Sequence, residues 1–343
     1  LLGAIVGAAY GLRQFFMSQD TPPILREGAT HAMFSFIVRR LLIAIPTLLA
    51  IITVCFFLMR LAPGGPFDAE APVPPEILAN MRAAYNLDKP IVQQYADYMI
   101  KLVQGDFGPS FKYKDFTVTE LIGQGFPVSA QNGFAAIVLA IIIGVPLGIL
   151  AALKQNTATD YSVMGFAMTG IVVPSFVMAP ILILIFAIFL KDTPFQLPAG
   201  TWEGGAFKHR ILPVFCLSLV YIAYLARITR ASMIEALRQN YVRTARAKGL
   251  PFRTVVVRHA LKTALIPVVT FLGPGIAFLL TGSMVVETIF GLPGVGRYFV
   301  QGALNRDYTL VMGVTILSAS LIIIMNIVVD VLYGMLDPRV KYE

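Results

Sequence analysis

Histidine and cysteine are scarce: the chain holds three of one and two of the other. His31, His209 and His259 fall in separate segments, and Cys55 and Cys216 both sit inside apolar runs. That spacing suits neither a metal site nor a disulfide framework, and cysteine in such runs behaves as a small hydrophobe. No Gly-x-x-x-x-Gly-Lys-Ser/Thr phosphate loop occurs, so the chain is not an ATPase of that kind. His-Glu-x-x-His and Gly-x-Ser-x-Gly are missing too, and the serines of the apolar runs have no histidine at comparable depth. Neither catalysis nor a cofactor is expected. Charge is also thin, at 13% of residues, and no soluble basic face with aromatic platforms is visible. Nucleic-acid binding is therefore not expected.

What the chain has instead is apolar sequence: 57% of its 343 residues are hydrophobic, and its mean hydropathy is +0.75. Runs of this kind, long enough to cross a hydrocarbon core, predict an all-α integral membrane protein. The expected crossings, six in number, are Leu41–Met59, Phe134–Leu153, Tyr161–Leu190, Ile211–Ala226, Ile266–Val286 and Leu310–Val329. The third is too long for one straight helix, and Pro174 and Pro180 predict a kink or tilt.

These crossings divide the chain. Residues 1–32 are expected to be an upstream extension outside the fold, with Met33 as initiator. Residues 33–60 hold the first crossing and 61–131 a small helical extracytoplasmic insertion. Residues 132–343 form a five-helix core with a loop at 227–265. Within the insertion, Pro75–Tyr85 reads as a short helix. Pro90–Val103 reads as a better one, with Ile91, Tyr95, Tyr98, Met99 and Leu102 on one face. Between Arg227 and Lys262 nine Lys and Arg residues are opposed only by Glu235. Such an excess marks the cytoplasmic side, at roughly 1 kcal/mol per residue beside an anionic leaflet. With six crossings, both termini are expected inside as well.

The basic loop contains a defined short element. Asn240 is placed to cap a helix over Tyr241–Lys248, Gly249 suits the left-handed residue that follows, and Pro251 forbids continuation. So short a helix is not stable alone and must dock against something. This stretch resembles the cytoplasmic coupling loop of ATP-binding-cassette importer permeases. Their general pattern is Glu-Ala-Ala, three residues, Gly, nine residues, then Ile-x-Leu-Pro. Ala245, Gly249 and Leu261 hold their places, whereas Arg243, His259 and Lys262 stand at the Glu, Ile and Pro positions. That variant, Arg243–Leu250 followed by Arg258–Leu261, resembles the oligopeptide and dipeptide permeases. Arg60–Gly64, Gly105–Asp115, Ala152–Thr157 and Ala303–Tyr308 carry the same resemblance, which runs from Met33 to the C-terminus.

The resemblance implies a type I importer permease in the bacterial inner membrane, surrounded by lipid. It implies a second related permease, two ATPase subunits below, a periplasmic peptide-binding protein above, and an oligopeptide substrate. Dipeptides, a nickel chelate or glutathione are alternatives within the family, and a stand-alone secondary transporter or channel is the alternative outside it. The coupling residues it implies are Tyr241, Arg243, Thr244, Ala245, Arg246, Ala247, Lys248, Gly249 and His259. Of these, Ala245 and Gly249 would allow close approach of the ATPase. Gly273, Gly275, Met284 and Glu287 are candidates for the path wall. For the glycines and Met284 ordinary helix packing is the competing reading, and for Glu287 a carboxylate that reaches water from a helix end.

Overall fold

The computed structural model describes residues 24–61, 86–113 and 115–336, with the side chains of 24–37, 330 and 332–336 set aside. The expected helix at Pro75–Tyr85 lies outside the described residues, as do residues 1–23 of the upstream extension. Among the described residues the chain is all-helical, with a single isolated bridge between Pro109 and Thr117.

Helix α1, Ile24–Leu61, takes in the first crossing and keeps Pro46 in its interior. It continues back through residues 24–32. Helix α2, Ile91–Val103, starts where Pro90 fixes the backbone. Its Tyr98, with Tyr95, Met99 and Leu102 beside it, packs on Ile52 and Phe56 of α1 and on Met312 and Ile316 near the start of the last helix. Ile91, expected on that face, is exposed instead, because the first turn overhangs the packed surface.

Helix α3 runs Val118–Leu153. The insertion was expected to extend to residue 131, but a capping box between Thr117 and Glu120 starts the helix at 118. Its 36 residues make a rod about 54 Å long at about 1.5 Å per residue, longer than the hydrocarbon core.

The third apolar run breaks sharply. Helices α4, Ala158–Val172, and α5, Ser175–Ile183 with a wider turn Leu184–Phe189 after it, meet at 101°. Pro174 stands at the corner and leads α5 without an N–H to continue the ladder. The predicted kink is thus a break. Helix α6, Phe207–Leu237, extends both ends of the expected fourth crossing. It is the central packing partner: Ile222 and Leu225 bury against Ala140 of α3 and Val268.

Helix α7, Asn240–Ala247, is followed by Phe252–Thr254, the wide turn Val255–Ala260 and helix α8, Leu261–Leu280. The fifth crossing, expected over Ile266–Val286, falls within the membrane-capable stretch Phe252–Ile289, but helix α8 itself ends at Leu280, where Gly282 takes φ +82° and Ser283 caps a new helix. That helix, α9, is Met284–Ile289; α10, Val295–Leu304, and α11, Tyr308–Leu336, complete the fold. Among the described residues five helices are long and apolar enough to cross a membrane, and six crossings result if α4 and α5 make one.

Candidate functional site

The basic loop folds back on the chain's own core. Val242 and Ala245 of α7 are buried against Met233 and Ala236 of α6, Ala152 of α3, and Val255, Val256, Ala260 and Ala264. Spacing dictates this: positions three apart share one helix face, so the two apolar residues point inward together. Tyr241, Arg243, Thr244, Arg246, Ala247, Lys248 and Gly249 are left exposed.

This divides the expected coupling residues. Ala245 is 4% exposed and packs against its own chain, so it offers no surface to a partner, whereas Ala247 does. Asn240 is the first helical residue, not the cap; Gln239 holds the cap position and no side chain caps the helix. Arg246 lies over the Phe252 ring, 5.5 Å from its centroid, and the Tyr241 hydroxyl donates to Thr263 Oγ1 at 3.1 Å. These two side chains brace the loop, leaving Arg243 and Lys248 as the projecting charges of α7 and its cap. Gly249 has φ +77° and closes the helix, its N–H donating to the Arg246 carbonyl at 2.9 Å. His259, half-buried in the turn Val255–Ala260, sits 3.5 Å from the Thr254 carbonyl oxygen.

Two further residues fix this end, and sequence reasoning missed both. Asp160, 1% exposed, accepts from Arg230 Nε and Nη2 at 2.6 Å each and from the Asn156 N–H at 2.9 Å. In the sequence Asp160 closes a short polar stretch and Arg230 is one of the nine bases of the loop. Their opposite signs at the matching ends of two apolar runs were the available signal.

The opposite end of the bundle is tied by Asp307, which is fully buried. It accepts from the Ser110 hydroxyl, from the Lys112 N–H at 3.3 Å and from the Leu310 N–H at 3.2 Å. The Thr309 hydroxyl donates to the Pro109 carbonyl at 2.6 Å. Residues 109–112 are thereby anchored to the start of α11.

The pathway candidates do not gather around one space. Glu287 is 2% exposed and fully engaged. It accepts from Ser129 Oγ at 2.6 Å and from the Arg297 N–H at 3.1 Å, while Ser129 accepts from the Val295 N–H at 2.9 Å. A carboxylate reaching water from a helix end is not what the structure has; Glu287 joins α3, α9 and α10 from inside. A Cβ on Gly273 would stand 2.2 Å from Val329 Cγ2, and one on Gly275 2.9 Å from the Tyr221 ring. Both glycines therefore sit in helix seams, facing α11 and α6. Met284 alone is substantially exposed, at 44%.

Comparison with known families matches residues 144–342 to the binding-protein-dependent transport system inner membrane component and residues 33–130 to its N-terminal membrane component. The oligopeptide transport system permease protein OppB of Salmonella typhimurium is 59% identical over 310 residues, 90% of this chain and 100% of the relative. The dipeptide transport system permease protein DppB of Bacillus subtilis is 44% identical over 310 residues, 90% of this chain and 98% of that one. A solved structure, an amino acid ABC transporter with histidines, aligns at 20% identity and a TM-score of 0.44, covering 65% of this chain and 95% of that chain.

Proposed function

The chain belongs to the family of binding-protein-dependent transport system inner membrane components, and from that premise we propose how it works. It is the permease subunit of an ATP-driven importer of oligopeptides. A second, related permease completes the pathway, two ATPase subunits bind at the basic end, and a peptide-binding protein delivers substrate at the other. The nine bases of the Arg227–Lys262 loop support a cytoplasmic place for it. Both termini share its side when α4 and α5 count as one crossing. Helix α2 and the Gly105–Asp115 stretch then form the extracytoplasmic part.

One observation carries the coupling role: α7 is held from behind by Val242 and Ala245 while Arg243, Thr244, Ala247 and Lys248 face away from the bundle. Such a helix can pass a push from an ATPase cleft to α6 and α3 through their shared core. Closure of the ATPase dimer on ATP would move α7, and the crossings would rock from inward-open to outward-open; hydrolysis resets them. Met284 remains the candidate for the path wall, with Gly273 and Gly275 allowing the helices around it to pack closely. A flexible, soft side chain suits a wall that passes varied peptides.

The test is reconstitution with the partner subunits in liposomes. ATP-dependent uptake of an oligopeptide is the expected result. Uptake at full rate from the chain alone, driven by a proton gradient, would overturn the reading.

A further inference from the structure

At the end of the bundle bearing Asp307, a cleft of about 420 Å³ opens between α2, the last turn of α1 and the start of α11. That volume lies within the roughly 300–1,000 Å³ of small-molecule sites. One wall is a single helix face: Gln94, Tyr98 and Lys101 follow one another at four- and three-residue spacing. Arg60, Phe111 and Thr309 line the other side.

Two polar atoms in this wall are shut away from water with no hydrogen-bond partner, the Tyr98 hydroxyl and Gln94 Oε1. Tyr98 is 8% exposed. Buried polar atoms of this kind are rare in folded proteins, since each costs about 1–3 kcal/mol. Gln94 spends its amide on the Leu87 and Lys89 carbonyls, at 3.3 and 2.7 Å, so only its oxygen is free to accept. A phenol is a proton donor at neutral pH, and burial and the nearby Asp106 push the Tyr98 group further above its ordinary pKa.

Of the surrounding charges, Asp106 is the negative one acting on the Tyr98 phenol, and it accepts from the Gly108 N–H at 2.8 Å. Lys89 and Asp97 neutralise each other at 2.7 Å. Arg60 stacks on Phe56 and Tyr308, with 5.3 and 6.0 Å to the ring centroids, and neither it nor Lys101 meets a carboxylate at ion-pair distance among the described residues. The cleft thus presents two cations, one neutral donor and, one helical turn from that donor, one acceptor.

We propose that this cleft is a second ligand site, apart from the transmembrane pathway, and that it takes the free carboxylate of a di- or tripeptide. The carboxylate meets Arg60, Lys101 and the Tyr98 hydroxyl, while the adjoining amide N–H meets Gln94 Oε1. The carboxylate assignment rests on the cleft alone; its peptide part rests on the peptide-importer reading.

Equilibrium dialysis of radiolabelled trialanine against the full chain in lipid nanodiscs, without ATP or binding protein, tests this. Saturable binding is expected, weakened at least about tenfold by C-terminal amidation and by Tyr98→Phe. Lys101→Glu, on the exposed rim, should weaken it too and leaves the fold untouched. Equal binding of the acid and the amide, insensitivity to Lys101→Glu, or displacement by inorganic phosphate as effective as by unlabelled trialanine would each overturn the proposal. ATP-driven uptake in liposomes without such binding would remove this site and spare the importer reading. Binding without uptake would do the reverse.

Discussion

Arg230 grips Asp160 with two parallel hydrogen bonds of 2.6 Å each, pinning the start of α4 to the C-terminal half of α6. The carboxylate is 1% exposed and the guanidinium 27%, so the pair lies at the edge of the interior. Planar two-point pairing of this kind fixes orientation as well as distance.

Removing one partner of such a pair strands the other. Arg230→Met should cost about 3 kcal/mol, the low end of the usual range because the guanidinium reaches water. Melting of the protein in detergent reads the loss. The double variant Asp160→Leu with Arg230→Met should recover most of it, and an Arg230→Met melting curve matching the parent would refute the role.

Position along α7 decides what a bulky residue does. Ala245→Trp places an indole in a packed core and should reduce the amount of folded, membrane-inserted protein. Ala247→Trp, two residues on and exposed, should leave insertion intact and lower peptide-stimulated ATP hydrolysis by the assembled importer. Fluorescence-detected size exclusion, paired with an ATPase assay, separates the two. Equal behaviour of both variants would remove the distinction between an inner and an outer face.

Gly249 is open space around a strained backbone. No atom lies within 4 Å of where its Cβ would be, yet φ is +77°. Substitution therefore costs conformation, not room. Gly249→Val should destabilise the end of α7 and uncouple ATP hydrolysis from uptake, while Gly249→Asn, which tolerates this conformation, should keep most of both. Similar uptake by the two variants would show that the backbone geometry does not matter.

Glu287 should behave as a structural residue. Glu287→Ala leaves Ser129 Oγ and the Arg297 N–H without their acceptor, at about 1–3 kcal/mol for each stranded group. Glu287→Gln keeps an acceptor and should retain both fold and uptake. Loss of uptake by Glu287→Gln, with the melting temperature unchanged, would return this residue to the pathway.

Much of this was legible in the sequence. The apolar runs placed the long helices, since hydrocarbon admits only helices and closed barrels, and unbroken apolar runs of about 20 residues suit helices. Gly249 and Pro251 marked the end of α7. Periodicity put Tyr95, Tyr98, Met99 and Leu102 on one packed face. The rest depended on contacts far apart in the chain. Asp160 and Arg230 are 70 positions apart, and Ser110 and Asp307 are 197. Nothing local reveals such partners. The direction in which Ala245 points, and the burial of Glu287 at an apparent helix end, are likewise set by what packs behind them. Pro174 announced a disturbance, but its 101° size depends on α6 and α9 receiving α5 on the far side of the corner.

That corner constrains where the lipid can be. Pro174 has no N–H with which to continue the ladder, so the last carbonyls of α4 face a break where the two rods meet. Acyl chains cannot satisfy such groups. If the two rods form one crossing, the elbow sits at membrane depth and must be sheltered by neighbouring polypeptide or bathed by internal water. On that arrangement the side of the bundle bearing Pro174 is not an ordinary oily exterior.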